Sequence, residues 1–156
     1  MAEEQQPQAV FTIEKIYVKD LSLEVPNAPQ VFLERETPRV DVQLSTEGKP
    51  VNDGHYEVTL SVTTTAKVNE KTVFLVEAHQ SGIFQIRNLP QESLDLVLSI
   101  TCPNILFPYA RETISDSISR CGFPPFLLAP VNFEALYQQR VQQQASQGQQ
   151  PSPVTH

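Results

Sequence analysis

Three carboxylates, Asp20, Glu24 and Glu77, and three histidines, His55, His79 and His156, are the side chains of this sequence from which chemistry would be built. A pair of facing carboxylates suits acid–base hydrolysis of a glycosidic bond. The surroundings do not support that use. No histidine stands in an HExxH pattern, and His156 is the last residue of a polar tail. There is no GxSxG elbow and no glycine-rich phosphate loop, and the chain has only 5 glycines from which to make one. Cys102 and Cys121 stand without any CxxC or Cys/His partner at zinc spacing, so both read as reduced thiols in or near a core. Asp20, Glu24 and Glu77 read more simply as a solvated acidic face. The expectation is a protein that is not an enzyme, with no metal and no cofactor.

Charge narrows the partners. The net charge is −7 and the pI about 4.9, which disfavours nucleic acid and anionic membrane and permits a basic partner. The start, "MAEEQQPQ", has neither the basic region nor the apolar run of a signal peptide. With no run of about 18 apolar residues, no membrane span is expected, and the expected location is the cytoplasm.

The elements that carry these residues are strands first and helices after. "YEVTLSVTTTAKV" puts Tyr56, Val58, Leu60, Val62, Ala66 and Val68 on one face and polar residues on the other, the period of a half-buried strand. "NEK" fits a tight hairpin, and the return strand sets Phe74, Val76, Ala78 and Gln80 against Leu75, Glu77 and His79. "VDVQL" makes another strand, followed by a polar turn, "STEGKPVNDGH". The first strand, residues 10–25, reads as apolar on both faces: Phe11, Ile13 and Tyr17 on one, Val10, Ile16 and Val18 on the other. That suggests a subunit contact. Between it and "VDVQL" lies a loop with Pro26, Pro29 and Pro38 that nonetheless holds Val31, Phe32 and Leu33.

From Glu92 the pattern turns helical. "CPNILFPYARETIS" breaks the helix at Pro103 and keeps a dense apolar run up to Pro108. Gly122 with the prolines behind it is a stop signal, and Asn132 caps a last helix whose inner face is Phe133, Leu136, Tyr137, Arg140 and Val141. The expected fold class is α+β: a four-stranded antiparallel sheet with a long kinked helix and a C-terminal helix packed on it. The expected organisation is a flexible acidic segment over residues 1–8, one domain over 9–144, and a disordered polar tail over 145–156.

Four stretches, "IYVKDLSLEVPNAP", "SGIF", "CPNILFPYAR" and "LAPVNFEALY", resemble the SecB family of protein-export chaperones, in the same order and at matching spacing, over about Phe11 to Gln144. The resemblance implies a dimer of dimers that holds unfolded precursor proteins in the cytosol and passes them to SecA, the motor of the Sec translocon, without cofactor or ATP hydrolysis of its own. It implies a SecA contact at Asp20, Glu24, Leu75 and Glu77, facing the basic, zinc-bearing C-terminal tail of SecA. Asp20 and Glu24, four apart on one strand face, would stand roughly 13 Å apart. It implies a client groove at Pro26, Phe32, Val40, Val42, Leu44, Phe133, Leu136 and Tyr137, with the loop around Pro26 and Phe32 facing the last helix. It implies a tetramer interface at Phe74, Val76, Ala78, Gln80, Ile105, Leu106, Phe107 and Tyr109. Glu36 departs from the family pattern, where many members carry a Trp, and alters the edge of the groove. The competing expectation is a SecB-like holdase serving another client, such as a toxin–antitoxin system; the intact Asp20, Glu24, Leu75, Glu77 set favours export.

Overall fold

The structure, a computed structural model, describes residues 6–148. Strands β1 (Val10–Glu24), β2 (Arg39–Asn52), β3 (His55–Val68) and β4 (Lys71–Arg87) form one antiparallel sheet in the order β1-β4-β3-β2. The β3–β4 hairpin turns on Asn69 and Glu70, both at positive φ, the conformation that the tightest hairpins require. After the sheet come α1 (Gln91–Leu96), a π-helical turn (Val97–Thr101), α2 (Cys102–Arg120) and α3 (Phe133–Gln147). The fold is α+β, with α2 lying across β3 and β4.

The core forms where the period-two pattern of the central strands meets α2. Val58, Leu60, Val62, Thr64 and Ala66 of β3 and Phe74, Val76, Ala78 and Gln80 of β4 are buried on the helix side. Above them sit Cys102, Leu106, Ala110, Ile114 and Ile118, spaced at helical intervals. Fully burying one Leu or Ile of this set contributes roughly 1.5–3 kcal/mol. The thiols of Cys102 and Cys121 are free and buried; burial pushes the Cys102 thiol up to about 12, so it behaves as a small apolar side chain.

Several local expectations change. The first strand is not apolar on both faces. Register shifts between Ile13 and Lys15, and again between Val18 and Asp20, mark two bulges in β1. Each bulge inserts one residue and so resets which face the following residues take. Phe11, Ile13, Ile16, Val18, Leu21 and Leu23 therefore pair with the even-numbered, helix-facing positions of β4, while Tyr17, Asp20, Ser22 and Glu24 pair with Ser81, His79, Glu77 and Leu75 on the outer face. The strand has one apolar face, but α2 does not reach it: Phe11, Ile13, Val18, Leu21 and Leu23 stay 40–45% exposed.

The polar stretch after "VDVQL" is strand as far as Asn52, and the turn is confined to Asp53 and Gly54. Pro50 is tolerated because β2 is an edge strand and a register irregularity follows it.

Nor does Pro103 break the helix. The π turn precedes it, with the Cys102 N–H donating to the Val97 carbonyl, so the missing proline donor and its ring are accommodated by one wider turn. Pro108 lies inside α2. The helical run Gln91–Arg120 is consequently 30 residues long and, by length and composition only, long and apolar enough to cross a membrane. The sequence expectation is that no run of about 18 apolar residues occurs and hence no membrane span. The buried residues of the helical run here are those packed on the sheet.

The helix ends as expected at Gly122, at φ 90°, where Phe123 N donates to Ile118 O and Gly122 N to Ser119 O. Asn132 caps α3, its Oδ1 accepting from Ala135 N at 3.0 Å. α3 continues to Gln147, past the expected tail boundary at 145, because Gln and Ala sustain a helix even where the composition looks like a tail. Residues 1–5 and 149–156, which include His156, lie outside the described residues.

Candidate functional site

The sheet offers two unlike faces. On the outer face, away from α2, register places Asp20 opposite His79, Ser22 opposite Glu77 and Glu24 opposite Leu75. Asp20, Glu24, Leu75 and Glu77 are thus gathered on one surface, although they come from opposite ends of the sheet-forming sequence. Asp20 and Glu24 are exposed, while Leu75 and Glu77 are half-buried among their neighbours. Leu75 is therefore a flush apolar spot rather than a protruding one. Threonines and serines of β3 continue the face, with Thr59 and Ser81 hydroxyls 2.8 Å apart.

Next to this patch is a network that the sequence pattern does not announce. Glu57 is buried on the outer face; its carboxylate accepts from the Tyr17 hydroxyl and from Lys19 Nζ at 2.7 Å, with Lys49 Nζ at 3.6 Å. Lys19, hydrogen-bonded to it, and Tyr17 hold the Glu57 carboxyl below the usual carboxylate range against the opposing effect of burial. Burial, reinforced by Glu57, pushes the Tyr17 hydroxyl up to about 12. A carboxylate with a lowered folded-state pKa stabilises above its unfolded value, and that contribution is lost as pH falls through the folded value. Glu57→Gln is accordingly expected to cost about 1–2 kcal/mol near neutral pH. Its stability should then fall less than the wild type's as pH drops through the carboxylate range. Denaturant titration of both proteins at several pH values checks this; equal slopes would contradict it.

The helix-side face carries the candidate groove. Leu44, Phe133, Leu136 and Tyr137, with Ser45, Thr46, Ser99 and Arg140, line a depression of about 240 Å³. Phe133 anchors it, packed edge-on to Phe107 at 6.0 Å between centroids. Arg140 donates to Ser99 Oγ at 3.1 Å and lies over the Tyr137 ring, so its stem forms a wall. Leu136 and Val141, expected on the inner face of the last helix, are 45% exposed instead.

Pro26, Phe32, Val40 and Val42 do not join this depression. Val40 and Val42 are half-buried farther along β2. Phe32 stacks on Phe123 at 5.1 Å, and Phe123 packs on Phe74 at 5.3 Å. The loop of Pro26 and Phe32 therefore faces the connection after α2 and not α3. Gly122 permits the approach, since a Cβ there would come within 3.0 Å of the Phe32 ring. Val31 is the buried anchor of that loop, whereas Leu33 is 82% exposed. Glu36 accepts from Asn69 Nδ2 at 3.1 Å, tying the same loop to the β3–β4 hairpin.

The expected tetramer interface also divides. Phe74, Val76, Ala78, Gln80, Leu106 and Phe107 are buried within the single chain, because α2 of the same chain already covers β4. They have no surface left for a partner. Of that set only Ile105, half-buried, and Tyr109, exposed, present side chains outward. A larger side chain at Ala78 would displace the chain's own α2. The first strand, which the sequence suggests as a subunit contact, has an apolar stripe left uncovered in one chain, with a membership set by the bulges.

Comparison with known proteins identifies the family. The family profile described as "Preprotein translocase subunit SecB" matches residues 3–144. "Protein-export protein SecB" of Chromobacterium violaceum is 64% identical over 148 residues, covering 95% of this chain and 99% of that protein. The protein of the same name from Dechloromonas aromatica is 63% identical over 142 residues, 91% of this chain and 93% of its own length. That of Neisseria meningitidis is 58% identical over 147 residues, 94% and 99%. Among solved structures, a SecB-like chaperone of Mycobacterium tuberculosis in complex with an antitoxin peptide superposes with a TM-score of 0.65 at 19% identity, covering 78% of this chain and 90% of its own; it shares the fold.

Proposed function

The chain belongs to the SecB family and is a chaperone of preprotein export, and from that premise we propose that it binds unfolded precursors on its helix-side surface and presents them to SecA through its outer sheet face. It works in the cytosol, as a dimer of dimers, without catalytic turnover. One observation carries this reading: the apolar depression of Leu44, Phe133, Leu136 and Tyr137 and the patch of Asp20, Glu24, Leu75 and Glu77 lie on opposite faces of one sheet. A client and a motor can then be held together without competing for surface.

The client surface is apolar and shallow, which suits extended segments of many sequences. Several such sites per assembly raise avidity without slow release from any one. Assembly is supported by what one chain leaves uncovered: the apolar stripe of β1 on an edge strand, and a long apolar helix of which only 28% of the most apolar window is buried. Two distinct surfaces of this kind suit closed symmetry built from two interfaces.

The docking face is tested by kinetics. Binding of the isolated C-terminal tail of SecA, with and without zinc, establishes whether the face is used at all. Glu77→Lys is expected to leave stability within about 0.5 kcal/mol and to leave client holding intact. It should slow association with the tail by about tenfold and flatten its salt dependence, because the carboxylates act through a screened field. Leu75→Gln should instead speed dissociation and leave the salt dependence unchanged. Stopped-flow measurements at two salt concentrations distinguish the two; a Glu77→Lys protein that no longer holds clients would refute the division of faces.

A further inference from the structure

His79 stands at the centre of the outer face, and nothing in the reading above uses it. Its Nε2 is 3.0 Å from Glu77 Oε1 and its Nδ1 is 2.7 Å from Ser61 Oγ. A carboxylate only accepts, so Nε2 carries a hydrogen and donates to Glu77. In the neutral ring Nδ1 then accepts from the Ser61 hydroxyl. The ring is thereby fixed at both ends, and it holds one oxygen of Glu77 while leaving the other for a partner.

Charged groups face His79 from every strand of the sheet: Asp20 and Lys19 from β1, Glu57 from β3, Glu47 and Lys49 from β2, and Glu77 from its own strand. Among the described residues no helix packs on this side. Four carboxylates meet two ammonium groups, an excess of negative charge that suits a basic tail.

We infer that His79 is a positioning residue of the docking face: its imidazole, held by Ser61 on the other side, orients the Glu77 carboxylate toward a basic tail. The inference rests on the docking role proposed above.

The test measures affinity for the zinc-loaded SecA tail for the wild type, His79→Gln, His79→Ala, and each His79 variant combined with Glu77→Gln. His79→Gln keeps a donor for Glu77, so it should bind as the wild type does. His79→Ala should bind about threefold to fivefold more weakly, the scale of one exposed ion pair, because Glu77 is no longer held. In the Glu77→Gln background, His79→Ala should cost nothing further. Equal affinities of the wild type and His79→Ala, with binding still dependent on Glu77, would overturn this inference and leave the docking role intact. Absence of tail binding by the wild type would overturn the two together.

Discussion

Aspartates at Leu44 and Leu136 together will abolish the suppression of precursor aggregation while the chain stays folded. The two side chains line one depression with Phe133 and Tyr137. An apolar client segment entering it has no partner for a carboxylate, and burying an unpaired one costs several kcal/mol, far more than a single shallow site supplies. The expected loss is at least about tenfold in the concentration of chaperone needed. Leu136 is half in solvent already, so its replacement barely affects folding; Leu44, partly buried on an edge strand, should cost about 1–2 kcal/mol. Light scattering from a diluted unfolded precursor, read beside the thermal melting of the variant, is the measurement. Undiminished suppression by a folded double variant would remove this depression from the client surface.

The second large effect concerns assembly. Leu21→Lys with Leu23→Lys is expected to convert the proposed tetramer to smaller species. Both residues belong to the helix-side stripe of β1, where five large apolar side chains remain 40–45% exposed in one chain. A row of that kind on an edge strand invites pairing or aggregation unless another subunit covers it. Two ammonium groups buried in such an interface, without counter-charges, would offset the apolar area gained on association. The outer face should be untouched, so binding of the SecA tail by each remaining subunit should persist. Sedimentation velocity at micromolar concentration checks the mass; an unchanged tetramer would move the contact elsewhere, with Tyr109 and Ile105 the next surface to alter.

Much of the fold was legible from residue order. The alternation in "YEVTLSVTTTAKV" and its return strand placed the core face of β3 and β4 correctly, because a sheet buried on one side imposes a strict period of two. Gly122 and Asn132 marked helix ends through local backbone and side-chain chemistry, which needs no distant partner. The four stretches matching the SecB pattern also carried the family and its export role, and Asp20, Glu24, Leu75 and Glu77 lie on one outer face.

What escaped the sequence depends on contacts between distant segments. The bulges at the Ile13/Lys15 and Val18/Asp20 steps are properties of β1 paired with β4, and without them the alternation of β1 reads as two-faced. Glu57 looked like one more polar residue of β3 until the bulge brought Lys19 and Tyr17 over it. The π turn before Pro103 keeps a helix continuous where local rules predict a break, because the turn itself packs against β2 and α3 while α2 beyond it packs on β3 and β4. Phe32 chose Phe123 over the last helix because Gly122 leaves room for a ring. Sequence by itself determined the elements, the core face of the central strands and the family. Tertiary structure decided which face each edge residue takes and which side chains meet, because register and ring packing are set by the partner strand and the space it leaves.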